Sequence, residues 1–264
     1  MRLIQVLCMV LTQLSVGSLL LTSLLSTREI RLSFFTFNSL LSAILAGIAL
    51  VLTKFLLHAA WSDVRWLGLT IVGATVAWGC FRLDRDVVGR LMLIVSALLG
   101  LVFGVLPLAD RMLGLRGIAT TAPYFFDAGV LSGTLLLGAT NVSMILGHWY
   151  LLMRRLSFEY LLRFTQILLG AVALRLVVML AVLTQLERYD LALASSMLPG
   201  LWSAGGNLLF FALRLLFGLA LPLVLGLAVL RCVEAKANQA ATGLLYVCEI
   251  SVLFGELFAA YLLV

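Results

Sequence analysis

Eight long apolar segments follow one another along the chain, and most of the charged residues lie in the short stretches between them. A helix needs about 20 mainly apolar residues to cross the hydrocarbon core of a bilayer. The pattern therefore predicts eight membrane-spanning helices joined by short loops. Their predicted bounds are about 1–25, 33–57, 66–81, 88–108, 131–153, 160–184, 207–230 and 241–263.

The first segment carries Arg2 near its start, as a secretory signal peptide would. Its apolar run is longer than the roughly 7–15 residues of a signal-peptide core, and no small-x-small cleavage site follows it. We therefore interpret it as the first spanning helix.

The composition supports a membrane protein. Of the 264 residues, 63% are hydrophobic and 11% are charged, whereas a soluble domain is about 25% charged. Continuous apolar runs favour helices over a transmembrane β-barrel, whose strands alternate in polarity. The longest predicted loop, 109–127, is too short for a soluble domain and carries an aromatic cluster suited to the membrane interface, Tyr124 to Phe126. We predict an all-α polytopic bundle, with residues 1–264 forming a single transmembrane domain.

The formal net charge of +6 is assigned to topology rather than to nucleic-acid binding, because the Lys and Arg residues flank the apolar segments. Ten of the 18 fall beside the odd-numbered loops, and six fall at the N-terminus or beside the even-numbered loops. Cationic loops stay in the cytoplasm, so both termini are expected outside it. The lipid bilayer is the predicted surrounding, and no nucleic-acid partner is expected.

A short motif occurs twice. The letters RLSF stand at 31–34 and again at 155–158, each time after an odd-numbered helix and at the opening of an even-numbered one. This repeat suggests two four-helix halves in parallel orientation, with a chance match as the alternative.

Several polar residues interrupt the apolar segments, and such residues usually face a protein interior or a water-filled site because lipid excludes them. They are His58, Asn141, Ser143, His148, Arg175, Arg214, Glu249 and Glu256. The predicted topology places four of them in the outer half of the membrane: His58, Arg175, Arg214 and Glu256. Glu249 lies on the same helix face as Glu256, about 10 Å closer to the cytoplasm, and His148 lies in the cytoplasmic half.

A layer of Arg, His and Glu side chains suits a quinol site, which needs a base for the ring hydroxyls and donors for the ring oxygens. Other interpretations stay open. Arg175 and a glutamate form a purely structural ion pair, or Arg175 binds an anionic solute. His58 is an ordinary solvated residue at the interface, and His148 belongs to the cytoplasmic aromatic belt. Asn141 and Ser143 hydrogen-bond between helices.

Metal centres are not expected in this chain. The four cysteines are scattered and form no CxxC pair, which argues against an iron–sulfur cluster or a structural zinc site. The two histidines, His58 and His148, fall at opposite ends of the bilayer in the predicted topology, so one haem iron cannot bridge them. No haem and no other metal site is predicted.

Three segments resemble the eight-helix membrane-anchor subunits of dimethyl sulfoxide reductase-type molybdoenzymes and, more distantly, the polysulfide reductase anchors. They are Val10 to Gly17 in the first helix, Leu57-His58 at the end of the second, and Gly255-Glu256-Leu257 in the last. The predicted outward termini also match. The sequence departs from that family after His58, where Ala59-Ala60-Trp61 replaces a Gly-containing turn, and around His148, where the family offers no counterpart.

The resemblance implies a haem-free anchor in the bacterial inner membrane that binds menaquinone or ubiquinone. It would pass electrons to an iron–sulfur subunit that feeds a molybdopterin catalytic subunit. His58, Arg175, Arg214 and Glu256 are the expected quinone-binding residues, and Asn141, His148 and Glu249 form a secondary polar site. A structural subunit of another membrane complex and a small-solute transporter are the alternatives, the latter favoured by Pro222 as a helix kink and by the buried Arg175.

Overall fold

The computed structural model describes residues 2–108, 122–152, 158–189 and 206–263 of the chain. These residues form eight long helices and no strand. We label them α1 (Arg2–Ser23), α2 (Leu32–Val51), α3 (Trp61–Arg82), α4 (Asp86–Leu99), α5 (Ala122–Leu152), α6 (Phe158–Tyr189), α7 (beginning with Gly206–Leu215) and α8 (Asn238–Leu263).

Three of the helices contain π-helical turns. One closes α2 at Leu52–Leu56, and another continues α4 through Gly100–Val105. The third interrupts α7 at Leu216–Ala220, after which α7 continues as the α-helix Leu221–Glu234. The irregular turn in α7 therefore lies just before the kink predicted at Pro222, which itself stands in the first turn of the continuing α-helix.

All eight helices are long and apolar enough to cross a membrane, which confirms the predicted all-α polytopic bundle. Their burial within the protein differs widely. We compare the buried share of an 18-residue apolar stretch in each span. This share is 78% in α5 and 67% in α1, but only 11% in α7. Helices α1 and α5 therefore lie at the centre of the bundle, and α7 lies at its edge.

The helices pack as two rings of four. In the first ring α1 contacts α2, α2 contacts α3, α3 contacts α4, and α4 returns to α1. In the second ring α5, α6, α7 and α8 follow one another in the same cyclic order, and α8 returns to α5. Contacts of α1 with α5 and α8 join the rings. This arrangement agrees with the predicted division into two four-helix halves.

The junction between the halves depends on small and polar residues of α1 and α5. A Cβ on Gly17 would overlap the backbone carbonyl of Thr134, and one on Gly138 would overlap the backbone of Gly17. The close approach also aligns polar side chains: Gln13 Nε2 donates to the Val130 carbonyl at 3.0 Å, and Asn141 Nδ2 donates to Ser18 Oγ at 2.7 Å. Small residues with interhelical hydrogen bonds are the usual means of helix association in lipid.

Two predicted helix starts are wrong by five or more residues, and α6 ends at Tyr189 rather than at 184. Helix α3 begins at Trp61 rather than at 66, so it is not short. Helix α5 begins at Ala122 rather than at 131, so Pro123 and the aromatic cluster Tyr124 to Phe126 lie in its first turns and not in a loop. Proline is well suited to a helix start because its missing N–H would have no partner there.

Some predictions fall outside the described residues. These include the part of the long loop at 109–121 and most of the second copy of the repeated motif, at 155–157.

Candidate functional site

A buried ion pair joins α6 to α8. Arg175 Nη2 lies 2.6 Å from Glu256 Oε2, and the two residues are 6% and 3% exposed. Arg175 Nη1 also donates to the carbonyl of Gly129 and, at 3.0 Å, to Ser132 Oγ, both on α5. Groups from two neighbouring helices thus hold the guanidinium. Pairing and hydrogen bonding are what allow an ion to remain in a low-dielectric interior.

A glycine on α5 makes room for this pair. A Cβ on Gly133 would lie 2.6 Å from Glu256 Oε2 and 3.3 Å from Arg175 Nη2. Any larger residue at position 133 would therefore push the carboxylate away from α5. Neither Gly133 nor Ser132 was predicted to be part of a site, because a glycine or serine in an apolar helix gives no signal of what it faces.

The ion pair lines a cavity of about 40 Å³ where α1, α5, α6, α7 and α8 meet. Its polar side chains are Gln13, Arg175, Arg214 and Glu256, and its remaining lining is apolar or glycine: Met9, Gly129, Val130, Val182, Ala259 and Ala260. A smaller cavity of about 10 Å³ adjoins the same three charged residues and lies against Met179, Gly218, Leu219 and Gly255. Since a water needs about 10–15 Å³, the larger cavity has room for a few waters.

The charge of this site is unbalanced among the side chains that line it. Arg175 and Arg214 bring two guanidinium groups, and Glu256 brings one carboxylate. Arg214 lies near enough to interact electrostatically with both partners of the ion pair. A membrane-embedded cavity with one excess positive charge favours a ligand that offers oxygen lone pairs or a negative charge.

The irregular part of α7 lies beside this cavity. Gly218, inside the π-helical turn, packs against Gly255, where a Cβ would sit 3.4 Å from the Gly255 Cα atom. Ser251 Oγ donates to the Phe217 carbonyl at 2.8 Å, which satisfies a backbone oxygen inside the π turn. Single π turns inside α-helices occur frequently at functional sites, and this one directly follows the turn that carries Arg214.

His58 does not line either cavity. It follows the π turn that closes α2 in the first half of the bundle, has a positive φ of 52°, and is exposed. The neighbouring Lys54 donates to the Ala59 carbonyl at 2.9 Å and lies 4.6 Å from the Trp61 ring centre. Of the four predicted quinone-binding residues, the structure brings Arg175, Arg214 and Glu256 together, and it places His58 elsewhere.

The residues of the predicted secondary polar site have three separate environments. Asn141 faces α1 and bonds to Ser18. His148 is exposed, with its Nδ1 atom 3.1 Å from the Tyr246 hydroxyl. Glu249 is 6% exposed and interacts with Thr140 of α5. Ser143, which the sequence analysis assigned to interhelical hydrogen bonding, has its Oγ atom 3.4 Å from the Phe164 carbonyl of α6.

Cysteine, histidine and carboxylate side chains do not cluster. In the described part of the chain no group of three or more of them lies close enough to hold a metal ion, and the four cysteines are unpaired.

The fold and the site define an eight-helix integral membrane protein with a buried, positively charged cavity in its second half. None of the protein-family models, curated proteins and solved structures compared with the chain matches it.

Proposed function

We propose that the chain is the membrane-anchor subunit of a respiratory oxidoreductase and that it binds quinol in the Arg175–Arg214–Glu256 cavity. It would pass electrons to an iron–sulfur subunit that serves a molybdopterin catalytic subunit, in the inner membrane of a bacterium with both termini outside the cytoplasm. One observation carries the proposal: a carboxylate and two guanidinium groups face one cavity inside an apolar bundle.

The side chains present suit the polar head of a quinol. Glu256 Oε1 and Oε2 accept hydrogen bonds, and the guanidinium groups of Arg175 and Arg214 donate them. Apolar lining from Met9, Val130 and Ala259 suits a ring face. The cavity of about 40 Å³ is smaller than such a ring, so the lining side chains must move apart for a ring to enter.

A bound quinol would give two electrons to the iron–sulfur subunit and two protons in turn to Glu256, which must pass on the first before it accepts the second. Glu256 Oε2 lies 2.6 Å from Arg175 Nη2 and lines the cavity, so the carboxylate of Glu256 is placed to accept a proton from a hydroxyl group there. Arg175 and Arg214 hold the oxygen that loses the proton and stabilise negative charge as it develops there. The apolar surroundings exclude bulk water and strengthen these electrostatic interactions.

The first test is to purify the chain from its native membrane in mild detergent. Mass spectrometry of co-purifying subunits, together with extraction of bound quinones, is expected to find an iron–sulfur subunit and menaquinone or ubiquinone. A chain that purifies without redox subunits and without quinone would contradict the proposal.

Site variants then test the residues within the assembled complex. Glu256→Asp keeps the charge but withdraws it by one methylene, and we expect quinol oxidation to fall by about a hundredfold or more, the scale of a mispositioned proton acceptor. The matched control is Glu234→Gln, which removes an exposed carboxylate at the end of α7. Unchanged turnover in an assembled Glu256→Asp complex would exclude Glu256 as the base.

His58 is tested separately, because its role rests on the resemblance alone. His58→Gln leaves the Arg175–Glu256 cavity untouched. A loss of quinol oxidation in this variant would place a second quinol contact in the first half of the bundle, and normal oxidation would confine the site to the second half.

A second function is favoured by the charge and the size of the cavity. Two guanidinium groups against one carboxylate, in a space of about 40 Å³, also suit a small inorganic anion. In this case the protein would bind or transport an anionic solute. Anion uptake into proteoliposomes that is lost in Arg214→Gln, with no quinone in the purified protein, would favour transport over the anchor function.

A further inference from the structure

A polar seam runs along the contact between α5 and α8. The inner face of α8 carries Thr242, Glu249 and Glu256, each seven residues from the next. Seven residues are close to two helical turns, or about 10 Å along the axis, so the three side chains form one line. Antiparallel to it on α5 stand Gly147, Thr140 and Gly133, also seven residues apart.

Each residue of the α8 line meets its counterpart on α5. Thr242 Oγ1 donates to the Gly147 carbonyl at 3.0 Å, and Gly133 leaves the space into which the Glu256 carboxylate fits. Between these two contacts Glu249 interacts with Thr140. The seam thus extends from the cavity at one end of the bundle to a position next to His148 at the other.

Glu249 lies at mid-depth, near the centre of the α8 span at 238–262. It is 6% exposed, and its Oε2 atom has no hydrogen-bond partner among the described residues. By contrast, Glu256 on the same face is paired with Arg175. A carboxylate ion without a cation in such surroundings is very costly, whereas a neutral carboxylic acid is tolerated.

The Thr140 hydroxyl finds acceptors for its hydrogen within its own helix. Its Oγ1 atom lies 2.9 Å from the Leu136 carbonyl and 3.1 Å from the Leu137 carbonyl. With the hydrogen on one of these carbonyls, the hydroxyl oxygen keeps a lone pair that can accept a hydrogen bond from a carboxylic acid at position 249.

None of the six residues of the seam is a lysine or an arginine. Towards the cavity the next titratable residue of the seam is Glu256, two helical turns along α8, where Arg175 of α6 and Arg214 of α7 also line the cavity. On α8 itself Cys248 adjoins Glu249, and Tyr246 stands one turn earlier with its hydroxyl 3.1 Å from His148 Nδ1 of α5. Towards α1 the contact of α5 is made by the uncharged pair Asn141 and Ser18.

We propose that Glu249 is a proton-binding site at mid-membrane and that the α5–α8 seam relays protons between the Glu256 cavity and the end of the bundle that carries Tyr246 and His148. The proposal does not depend on which ligand enters the cavity. It would link whatever proton chemistry occurs at Glu256 to the opposite face of the membrane.

The transfer is balanced without any redox partner. Protonated Glu249 first releases its proton towards His148, whose imidazole accepts one and gives it to water at the exposed end. The O–H bond of a protonated Glu256 then breaks, its proton passes through intervening water, and a new O–H bond forms on the Glu249 carboxylate. Because about 10 Å separates the two carboxyl positions, waters must complete the path.

The test uses the full chain reconstituted in liposomes that enclose a pH-sensitive dye. A potassium gradient with valinomycin supplies the driving potential. The wild type is expected to take up protons faster than protein-free liposomes, and Glu249→Gln is expected to lower the protein-dependent flux by about a hundredfold or more. Wild-type flux no greater than that of protein-free liposomes, or equal flux in wild type and Glu249→Gln, would overturn the proposal.

A second readout keeps the result independent of flux. Infrared difference spectra of the protein should contain a carboxylic-acid C=O band that shifts in D₂O and disappears in Glu249→Gln, while Glu234→Gln retains it. Loss of this band in Glu234→Gln only, or its absence from the wild type, would show that Glu249 carries no exchangeable proton.

The Thr140 contact offers a milder variant. Thr140→Val removes the hydroxyl next to Glu249, and we expect slower proton flux. Thr165→Val is the matched control, because Thr165 is also fully buried and also donates to its own helix, to the Leu161 carbonyl at 2.7 Å. Equal slowing by the two variants would assign the effect to general loss of packing and would argue against the seam.

Discussion

The first half of the bundle, α1 to α4, and the second half, α5 to α8, close their rings in the same order, but they enclose different chemistry. The buried charged side chains of the described residues, Arg175, Glu249 and Glu256, all belong to the second half. Counted from the first residue of each helix, Arg175 of α6 corresponds to Ala49 of α2. In the same way, Glu256 of α8 corresponds to Gly104 in the π turn that continues α4.

Each half nevertheless contains a cavity. The cavity of the first half measures about 30 Å³, and its polar side chains are the hydroxyls of Thr12 and Thr53. Gly104 lines it, as Glu256 lines the cavity of the second half. Each half of this bundle thus contains a small cavity, and the two cavities differ in whether charged side chains line them.

Helix α1 links the two halves. It is a member of the first ring, yet Met9 and Gln13 line the cavity of the second. The site in the second half is therefore incomplete without the first half, whose central helix supplies one wall. This explains why α1 and α5 are the most buried helices.

The largest expected effect comes from removing the charge that distinguishes the halves. Glu256→Met leaves two guanidinium groups in the bundle without their carboxylate, and we expect a loss of about 3–5 kcal/mol in the free energy of unfolding. Arg175→Met should cost less, because Arg214 remains near Glu256. Unfolding by sodium dodecyl sulfate titration in mild detergent measures both.

The double variant Arg175→Met/Glu256→Met sharpens this prediction. Replacing both members of a buried pair by apolar residues is often close to neutral, so the double variant should be more stable than Glu256→Met alone. Lys54→Met in the first half, which removes a half-buried cation beside Trp61, should change stability little. Additive losses in the double variant would show that the pair is not coupled.

A second prediction concerns the junction between the halves. A Cβ on Gly17 would meet the Thr134 carbonyl, a backbone atom that cannot rotate away. Gly17→Ala should therefore push α1 from α5 and lower stability by about 1–3 kcal/mol or more. The control is Gly47→Ala on α2, where no atom lies within 4 Å of the added Cβ. Equal melting temperatures for the two variants would contradict the close crossing.

The sequence was sufficient to predict the helices and the grouping of Arg175, Arg214 and Glu256, but not how the helices pair. Lipid allows only long apolar helices here, so all eight were predicted, and the main errors were starts: Pro123 opens α5 where a loop was expected. Because lipid excludes charged side chains, Arg175 and Glu256 were also correctly predicted to face the protein interior. The contacts that α5 supplies to this pair, through Gly129, Ser132 and Gly133, were not predictable, because helix pairing depends on small-residue contacts such as Gly17 with Gly138. The exclusion of His58 from the cavity follows from the same pairing, which places the end of α2 in the other ring.

A third prediction compares equivalent helix crossings of the two halves. A Cβ on Gly255 of α8 would overlap the Gly218 backbone in the π turn of α7, whereas one on Gly73 of α3 would meet the Ser96 side chain of α4. A serine side chain can rotate, and backbone cannot. Gly255→Ala should thus lower stability by about 1–3 kcal/mol, and Gly73→Ala by less. Equal thermal shifts would show that the α7–α8 crossing adapts as readily as the α3–α4 crossing.

The smallest expected effect is the change in stability when a buried asparagine is replaced by leucine, and its sign differs between the two halves. In the second half, Asn141→Leu removes an interhelical hydrogen bond to Ser18 and should cost about 0.6 kcal/mol, the average for such bonds in a membrane. In the first half, Asn38 Nδ2 donates only to the Phe34 carbonyl of its own helix at 2.9 Å, and its Oδ1 atom has no hydrogen-bond partner among the described residues. Replacing a buried polar group that lacks a partner removes a desolvation penalty, so Asn38→Leu should leave stability unchanged or raise it. The unfolding midpoints of both variants, measured in one detergent, test this prediction. If Asn38→Leu destabilised the protein as much as Asn141→Leu, the predicted difference between the two asparagines would be wrong.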